Sequence, residues 1–540
     1  MTSLVSQIQV GSATFMANRE SMLDFVTRLR ELETRAVTLS NKRMATFEKR
    51  GQIPPHERVQ RLLDPGMPFL RMHSMANYMM EDENPDTSIP GGSLIVGIGF
   101  VQGVRCMIWA DDSGIAAGAA TASSVDVGLS LQSVCKRQRL PLIHLVESAG
   151  ANLLNYEVSG WSKFGAIFRN LAQLSSMGIP TMTVLHGAST AGGAYMPGMS
   201  DYVIGVKENG LAALAGAALV KAATGEEAND RELGGTEMHA SVSGVVEYLV
   251  ENDAHALQKA REVLGRLDWN KRGQPVSRQS YKPPHYPADE LAGAVPTDPK
   301  VPYDVRELLA RIVDDSAIEE FKPRYGVSLV CCHASITGIA CAFIGNNGPI
   351  DPNGATKAAQ FIQLCDQADI PLIFLNNTTG YMVGTEYEQA GMIKHGSKMI
   401  QAVSTARIPK ISLYVGASFG AGNYGMCGWS YEPDFLFAWP NARTGVMAGQ
   451  SAAKTMSHVM QAQAARKGIE ISAEQIEAQE TKICAHFDRQ EDAFYTSGQV
   501  LDHGIIDPRD SRKVLAFCLE TVLEARMREL RPNSFAVARM

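Results

Sequence analysis

Short apolar runs recur along the chain, separated by glycines or charged residues, and most have the length of one buried β-strand. Residues 94–101 and 104–110 flank Gln102-Gly103, which predicts a hairpin. Helical periodicity between the later runs indicates a layered α/β domain. The elements predicted after the hairpin are a helix at 123–137, a strand at 140–146, a helix at 163–176 and a strand at 181–186.

The second half of the chain repeats this order of elements. Its predicted elements are strands near 328–345, a helix at 354–367, a strand at 371–375, a helix at 388–404 and a strand at 411–415. Helices are also predicted at both ends of the chain. Residues 18–50 carry apolar residues at spacings of three and four (Met22, Phe25, Leu29, Leu32), which predicts one long amphipathic helix, and further helices are predicted at 471–485 and 511–530.

The clearest repeated segment is a strand followed by a glycine-rich turn. Residues 180–195, PTMTVLHGASTAGGAY, align without a gap with residues 409–424, PKISLYVGASFGAGNY, at an offset of 229. Two more pairs match at nearly the same offset, namely 140–150 with 370–380 and 103–112 with 338–347. This period is far too long for a solenoid, so the repeat indicates two α/β domains related by internal duplication.

A linker is predicted between the two domains. Six prolines lie between residues 275 and 299, close to Lys271, Arg272 and Gly273, and this composition is typical of an interdomain segment. The sequence therefore predicts an N-terminal domain at 1–270, a linker at 271–300 and a C-terminal domain at 301–540.

Composition and charge argue against several classes of protein. The 540 residues have a net charge of −7 and no basic stripe, which argues against binding to nucleic acid or to an anionic membrane. No apolar run approaches the ~18 residues of a membrane span, and residues 1–15 lack the pattern of a signal peptide. None of the nine cysteines forms a CxxC pair, so we predict reduced thiols in a cytoplasmic protein without a metal site.

The repeated turn suits an oxyanion site. A strand, a glycine turn and a helix start leave backbone N–H groups that no helical carbonyl accepts, and such donors stabilise an oxygen that becomes negative during a reaction. In a single turn the glycines can equally serve sterics alone. The occurrence of the turn in both halves favours the chemical interpretation.

Two known motifs overlap the second turn. Residues 416–420 match the Gly-x-Ser-x-Gly elbow of hydrolases, but no later histidine stands out, and the repeat has Ala191 in place of the last glycine. Residues 420–425 match GxGxxG, but no acidic residue follows the next apolar run, 435–439, to bind a ribose. Both remain minor alternatives to a pair of oxyanion sites.

Two backbone-donor sites without an obvious acid or base suit carboxyl transfer. One site can stabilise the enolate of a thioester, and the other can bind the carbonyl oxygen of a carboxyl carrier. A carrier that leaves as a basic nitrogen can take the α-proton of the substrate, so no side chain has to act as the base.

Over nearly its whole length the chain resembles the carboxyltransferase (β) subunits of biotin-dependent acyl-CoA carboxylases. The segments that carry the resemblance are ESAGANL (147–153), STAGGAYMPGMSDY (189–202), LVKAATGEE (219–227), LGGTEMHASVSG (233–244), NNTTGYMVGTEYEQAGMIKHGSKM (376–399), GASFGAGNYGMCG (416–428) and WPNAR (439–443). They are most similar to the subgroup that acts on branched enoyl-CoAs, 3-methylcrotonoyl-CoA and geranoyl-CoA. The resemblance implies two tandem crotonase-like (ClpP/crotonase) domains, the first for acyl-CoA and the second for biotin.

The resemblance also implies the residues of both sites. On the acyl-CoA side the thioester oxygen would accept from the N–H groups of Gly150, Ala151, Gly192 and Gly193, with Ala116, Gly118 and Tyr195 beside the CoA. On the biotin side the ureido oxygen would accept from those of Thr379, Gly380, Ala421 and Gly422, with Tyr424 nearby. Biotin would come on a partner, the biotin carboxylase and biotin carboxyl carrier α subunit, to a hexamer of this chain in an α6β6 complex.

Some residues depart from the pattern of the family on the acyl-CoA side. Ala116 stands where a lysine is usual near the CoA, and Ala217-Ala218 replaces a usual Pro-Pro pair. The sequence therefore does not name the acyl group. A carboxylase for propionyl-CoA or another acyl-CoA, a non-catalytic structural paralogue and a crotonase-type hydratase remain as alternatives.

Overall fold

The computed structural model describes residues 2–150, 157–296, 298, 301–468, 470–534 and 536–538. They belong to two compact units. The C unit comprises Met1–Leu29, Ser277–Ser497 and Leu501–Glu520, and the N unit comprises Arg30–Val276, Gly498–Val500 and Thr521–Met540. Each unit consists of three separate segments of the chain, whereas the sequence predicted two continuous domains joined by a linker at 271–300.

The N-terminal segment belongs to the C unit and the C-terminal segment belongs to the N unit, because each forms hydrogen bonds within that unit. Thr2 and Ser3 pair as a short strand with Ile318 and Ala317 in the C unit. In the N unit the Arg528 guanidinium donates to the carbonyl of Trp269 at 2.6 Å.

The sheet of the N unit has eight strands. Seven follow each other across the sheet and the eighth, Leu211–Ala213, pairs with Thr181–Thr190. The seven are, in order across the sheet, Leu70–Met72, Leu94–Val101, Val104–Asp111, Leu142–Ser148, Thr181–Thr190, Tyr202–Val206 and Tyr248–Val250. The hairpin pairs are antiparallel and all pairs after Val104–Asp111 are parallel, as expected for strands joined by helices.

The sheet of the C unit also has eight strands, and six of the seven across it repeat the order and directions of the N unit. The remaining strand lies at opposite edges, as Tyr248–Val250 in the N unit and Thr2–Ser3 in the C unit. The eighth strand of the C unit, Arg443–Gly445, pairs with Lys410–Phe419. The other seven are, in order across the sheet, Thr2–Ser3, Ala317–Phe321, Leu329–Ile336, Ile339–Asn346, Leu372–Thr378, Lys410–Phe419 and Phe435–Ala438.

The two sheets also share an irregularity beside the glycine turns. The parallel ladder shifts register between Val146 and Ser148 in the N unit, and between Asn376 and Thr378 in the C unit. A shared defect at matching positions would not arise from two unrelated sheets. The internal duplication and the α/β fold predicted from the sequence are therefore confirmed.

Each sheet contains a hairpin whose turn is bound by a carboxylate. Gln102 and Gly103 have φ values of +53° and +70°, and their N–H groups donate to Asp64 at 2.9 and 2.6 Å. In the C unit, Thr337 and Gly338 donate to Asp314 in the same way, at 2.9 and 2.8 Å. The predicted hairpin is thus present in both units.

Helices cover the sheets and connect the parallel strands. The α-helices of at least eight residues are Ala13–Asn41, Pro55–Leu62, Ser124–Gln138, Val158–Ser176, Ala217–Thr224, Asp253–Arg266, Pro352–Ala368, Met392–Thr405, Gly449–Arg466, Ala473–Glu491 and Ser511–Met527. Within the described residues, no helix is both long and apolar enough to cross a membrane.

The single helix predicted at 18–50 is wrong, because the chain forms two helices there. The first is Ala13–Asn41, and Met44–Lys49 follows as a separate helix. Between them the N–H groups of Lys42 and Arg43 donate to carbonyls three residues earlier, which tightens the last turn and ends the first helix.

The segment predicted as a linker is only partly irregular. Residues 274–284 have no helix or strand, but Leu291–Ala294 form a buried helical turn in the C unit. The Phe15 ring packs beside Gly293, where a Cβ would lie 2.5 Å from it. Apolar packing therefore holds the last part of the predicted linker in place, although the prolines of this segment are typical of an irregular connection.

Candidate functional site

The two glycine turns have equivalent backbones. The first turn, residues 187–198, leaves the strand Thr181–Thr190 through Ala191, whose φ is +52°. The second turn, residues 416–425, leaves Lys410–Phe419 through Gly420, whose φ is +54°. Left-handed backbone costs a non-glycine residue on the order of 1–3 kcal/mol, so the first turn retains this conformation despite having alanine.

Each turn continues directly into a helical segment. Ala191–Ala194 form a 3-10 turn before the helix Tyr195–Gly198, and Gly420–Gly425 form one short helix. The N–H groups of Gly192 and Gly193, and of Ala421 and Gly422, therefore lie in a first helical turn, where no earlier helical carbonyl accepts from them.

A second glycine lies beside each turn and also has left-handed backbone. Gly150 has φ +86°, and a Cβ on it would lie 3.6 Å from the Thr190 carbonyl oxygen. Gly380 has φ +130°, and a Cβ on it would lie 3.8 Å from the matching oxygen of Phe419. The structure thus brings together the paired segments that the repeat had indicated. Ala151, the remaining predicted donor on the acyl-CoA side, lies outside the described residues.

The N–H groups of these two glycines are already hydrogen-bonded. The Gly150 N–H donates to Ser148 Oγ at 3.1 Å, and the Gly380 N–H donates to Thr378 Oγ1 at 3.2 Å. Both hydroxyls sit two residues earlier, at the register shift of the strand. In this conformation the helical-turn N–H groups and exposed Thr379 are therefore better placed to donate to a ligand than Gly150 and Gly380.

The second turn is packed more tightly than the first. A Cβ on Gly422 would lie 2.8 Å from Gly380 Cα and 3.1 Å from Thr378 Cγ2. A Cβ on Gly193 would lie 3.4 Å from Ser189 Oγ, which is ordinary contact. Only glycine fits at 422 without moving the backbone.

The N unit alone carries a long loop at this end of the sheet. Twelve residues, 112–123, join the second hairpin strand to the next helix, whereas the C unit uses five, 347–351. Ala116 and Ala117 in this loop are exposed and left-handed, with φ of +47° and +53°.

This loop is bonded to the strand end that carries Gly150. The Ala117 carbonyl accepts from the Ala149 N–H at 3.0 Å, and the Gly118 carbonyl accepts from Ser148 Oγ at 2.6 Å. Ala116 and Gly118, predicted to lie beside the CoA, are therefore close to the first turn.

One exposed tyrosine follows each turn. Tyr195 is 50% exposed and meets the Phe168 ring edge-on at 5.7 Å. Tyr424 is 45% exposed and stacks on Tyr431 at 5.5 Å. About half of each tyrosine is therefore accessible beside its turn.

Buried charges lie beneath the first turn. Glu147 accepts from Arg58 at 2.6 Å, and Arg58 also donates to Asp253 at 3.1 Å. Asp253 contacts His186 Nδ1 at 2.7 Å, and Gln52 donates to Glu147 at 3.0 Å. All five side chains are buried, so the ion pairs are shielded from solvent.

Burial and the neighbouring charges shift the pKa values of two members of this cluster, His186 and Asp253. Burial and the Arg58 guanidinium lower the pKa of His186. Although burial raises it, the contacts with His186 and Arg58 leave the pKa of Asp253 below its usual value. Both effects favour a neutral imidazole beside an ionised carboxylate.

Neutral side chains replace these charges beneath the second turn. Asn377 takes the place of Glu147, and its N–H donates to Asn346 just as the N–H of Glu147 donates to Asp111. Ser418 is fully buried and donates to Asn376 at 3.1 Å. A buried hydroxyl without a histidine partner cannot act as the nucleophile of a hydrolase, so that alternative is wrong.

No sequence motif singles out these supporting residues. Glu147, Arg58 and Asp253 are far apart in sequence, and only the fold brings them together. A signal did exist within the repeat, because Asn423 and Asn377 align with Ala194 and Glu147. A difference in side-chain polarity or charge between equivalent positions of two duplicated sites points to a role specific to one site.

The chain is similar to carboxyltransferase subunits over most of its length. The model of the carboxyl transferase domain family matches residues 47–535. A probable biotin-dependent acyl-coenzyme A carboxylase beta2 subunit of Mycobacterium tuberculosis is 43% identical over 498 residues, 91% of each chain. The methylcrotonoyl-CoA carboxylase beta chain, mitochondrial, of Arabidopsis thaliana is 43% identical over 91% of this chain and 84% of that one.

A solved structure is similar in both sequence and fold. The beta subunit of P. aeruginosa geranyl-CoA carboxylase superposes with a TM-score of 0.94 and 47% identity, covering 100% of both chains. The predicted fold class of two tandem crotonase-like domains is confirmed. Among the described residues, no group of three or more histidine, cysteine or acidic side chains could hold a metal ion.

Proposed function

The chain belongs to the carboxyl transferase family, as a β subunit of the biotin-dependent acyl-CoA carboxylase type, and we propose that its two glycine turns serve the two halves of one carboxyl transfer. The first turn would bind the thioester oxygen of an acyl-CoA, and the second the ureido oxygen of biotin. The observation that carries this proposal is the duplicated turn with N–H donors at matching positions.

The residues of the second turn fit biotin as a ligand. Gly422 has no room for a Cβ, and Ala421 and Thr379 beside it are exposed. A ureido oxygen could therefore approach the N–H groups of Ala421 and Gly422, and of Thr379, without meeting a side chain. Carboxybiotin would supply the carboxyl group and, after losing it, a basic nitrogen that takes the proton the substrate loses on becoming an enolate.

The residues of the first turn would stabilise the acyl group as its enolate. The N–H groups of Gly192 and Gly193 would donate to the thioester oxygen. These hydrogen bonds would become stronger as the oxygen becomes negative. Loss of one such donor typically lowers the rate about 100- to 1,000-fold.

A branched enoyl-CoA is the proposed substrate class. The relatives described above act, by their names, on methylcrotonoyl-CoA and geranyl-CoA. We propose that this chain carboxylates one of these two and binds a biotin-carrying α subunit as a homohexamer in the cytoplasm. A fully active monomer in sedimentation would contradict the proposed assembly.

The experiment is an acyl-CoA panel. The purified chain would be incubated with its biotin carboxylase and carrier partner, ATP, labelled bicarbonate and 3-methylcrotonoyl-, geranoyl-, propionyl- or acetyl-CoA. Acid-stable label should appear with a branched enoyl-CoA.

Two other outcomes have defined meanings. Label with propionyl-CoA alone would contradict the proposed substrate class. Carboxylation of the carrier without transfer to any acyl-CoA would identify a non-catalytic paralogue.

A further inference from the structure

The second turn rests on a network of four polar side chains. Asn423, the fourth residue of the helix Gly420–Gly425, donates through Nδ2 to Tyr414 Oη and to Ser418 Oγ, both at 2.9 Å. Ser418 Oγ donates to Asn376 Oδ1 at 3.1 Å, and Asn376 Nδ2 donates to the Met426 carbonyl at 3.1 Å. The network therefore ties the middle of this helix, through Asn423, and its C-terminal end, through the Met426 carbonyl, to two strands of the sheet.

The fold does not require this network. At the equivalent positions of the first turn lie Val146 for Asn376, Leu185 for Tyr414 and Ala194 for Asn423. Val146 and Leu185 are buried and apolar, and Ser189 donates only to the Gly193 carbonyl within the turn. The same backbone thus forms without the amides and the phenol.

The network has the space and environment of a fixed structural element. Asn376, Ser418 and Tyr414 are all buried. Gly428 leaves room for Asn423, since a Cβ at 428 would collide with the Asn423 amide. In a buried setting each satisfied hydrogen bond restricts the position of its partners more strongly than in water.

We propose that Asn423 is a positioning residue, whose amide fixes the direction of the Ala421 and Gly422 N–H groups toward the oxygen of the carboxyl carrier. This inference rests on the proposed function of the second turn. Asn423 lies in the same helical turn as both donors, so its two hydrogen bonds to the sheet set the rotation of that turn. Misplacement of reacting groups by about 1 Å can cost about 100-fold in rate, which gives such an anchor a measurable effect.

The test compares two alanine variants of the full-length chain. Asn423→Ala gives the second turn the residue found in the first. Ser412→Ala is the matched control, because Ser412 is buried on the strand that carries Tyr414 and Ser418 but donates to the Cys427 carbonyl at 2.6 Å, outside the network. Both are assayed with the carrier partner and the preferred acyl-CoA of the panel.

Asn423→Ala should lower kcat about 10- to 100-fold and leave the KM for acyl-CoA within about twofold, because the first turn is unchanged. Ser412→Ala should keep kcat within about threefold. Equal losses of kcat in both variants, or a parallel rise in the KM for acyl-CoA, would show that Asn423 acts only through general stability.

A second measurement does not depend on activity. Hydrogen exchange of the amides of Met426 and Gly428, which donate to the carbonyls of Gly422 and Asn423, should become about tenfold faster in Asn423→Ala and stay unchanged in Ser412→Ala, because only the former releases the turn. Unchanged exchange in Asn423→Ala would overturn the proposal. Faster exchange in Asn423→Ala, combined with a wild-type chain that transfers no carboxyl group to any acyl-CoA of the panel, would retain the anchor and reject the proposed function.

Discussion

The first and second glycine turns share a backbone and a sheet position, but different chemistry supports them. Beneath the first turn lie paired charges, Arg58 with Glu147 and Asp253. Beneath the second lie neutral amides and hydroxyls, with Asn377 in place of Glu147. After duplication, the strand register and the left-handed entry residue were retained, while the side chains below them changed.

The difference shows which parts of the site can vary independently. A buried ion pair contributes little net stability, but loss of one partner leaves an uncompensated charge. Removal of one member of a neutral amide network leaves no buried charge, so the main loss is in the orientation of the groups that it holds. The first turn should therefore respond to variants mainly through stability, and the second mainly through geometry.

The largest effect should come from adding one methyl group to each turn. Gly422→Ala places a Cβ 2.8 Å from Gly380 Cα, so the backbone that carries the donors must move. Carboxyl transfer should fall about 100- to 1,000-fold, as for loss of an oxyanion donor. Gly193→Ala meets only Ser189 Oγ at 3.4 Å and should lose less than about fivefold, which steady-state kinetics would measure. Equal losses would show that the tighter packing of the second turn has no role in catalysis.

The second effect concerns the stability of the charged cluster. Glu147→Gln removes the carboxylate that accepts from buried Arg58 at 2.6 Å and should destabilise the fold by about 3 kcal/mol. The surface pair of Arg61 and Glu57 provides the control, since Glu57→Gln should cost less than about 1 kcal/mol. The midpoints of thermal unfolding of the two variants would be compared. Similar midpoints would mean that Arg58 and Glu147 do not form an ion pair in solution.

A third effect distinguishes the buried carboxylates of the two units by pH. Burial raises the pKa of Asp502 in the C unit to about 7, despite a hydrogen bond from Ser497 at 2.7 Å. Its contribution to stability is present below pH ~4 and is lost as the pH rises through about 7. Asp502→Asn should therefore gain about 2 kcal/mol over wild type between pH 5 and 7.

The control for this pH effect is Asp253, whose pKa is lowered. Because the folded state favours its ionised form, its contribution is present above the usual pKa of aspartate and is lost only as the pH falls below it. Unfolding midpoints of Asp253→Asn should thus lie below wild type by a constant amount between pH 5 and 7. A difference from wild type that stays constant for Asp502→Asn as well would contradict its raised pKa.

The smallest effect should come from the loop that only the N unit has. Ala116 is exposed and already left-handed, so Ala116→Lys adds a charge without new backbone strain. One solvent-exposed charge-assisted contact to a CoA phosphate should tighten acyl-CoA binding by about 1 kcal/mol, or about fivefold, with kcat unchanged. Calorimetry against Ala116→Gln would separate charge from length, and equal binding by both variants would show that no phosphate lies near residue 116.

The repeated elements of this protein follow from its residue pattern alone. Apolar runs and turn glycines set the strands, the hairpins and both glycine turns, because periodicity and left-handed backbone are local properties. The ungapped offset of 229 was sufficient to pair Gly193 with Gly422 before their surroundings were known. Local pattern failed at the helix 18–50, whose break depends on hydrogen bonds within one turn near Arg43.

The contacts beneath and beside the turns form only when distant parts of the chain pack together. Glu147, Arg58 and Asp253 meet across long sequence separations, and the positions of both chain ends depend on pairing such as that of Ser3 with Ala317. Such contacts follow from how the strands pack in space, and no local pattern of residue types encodes them.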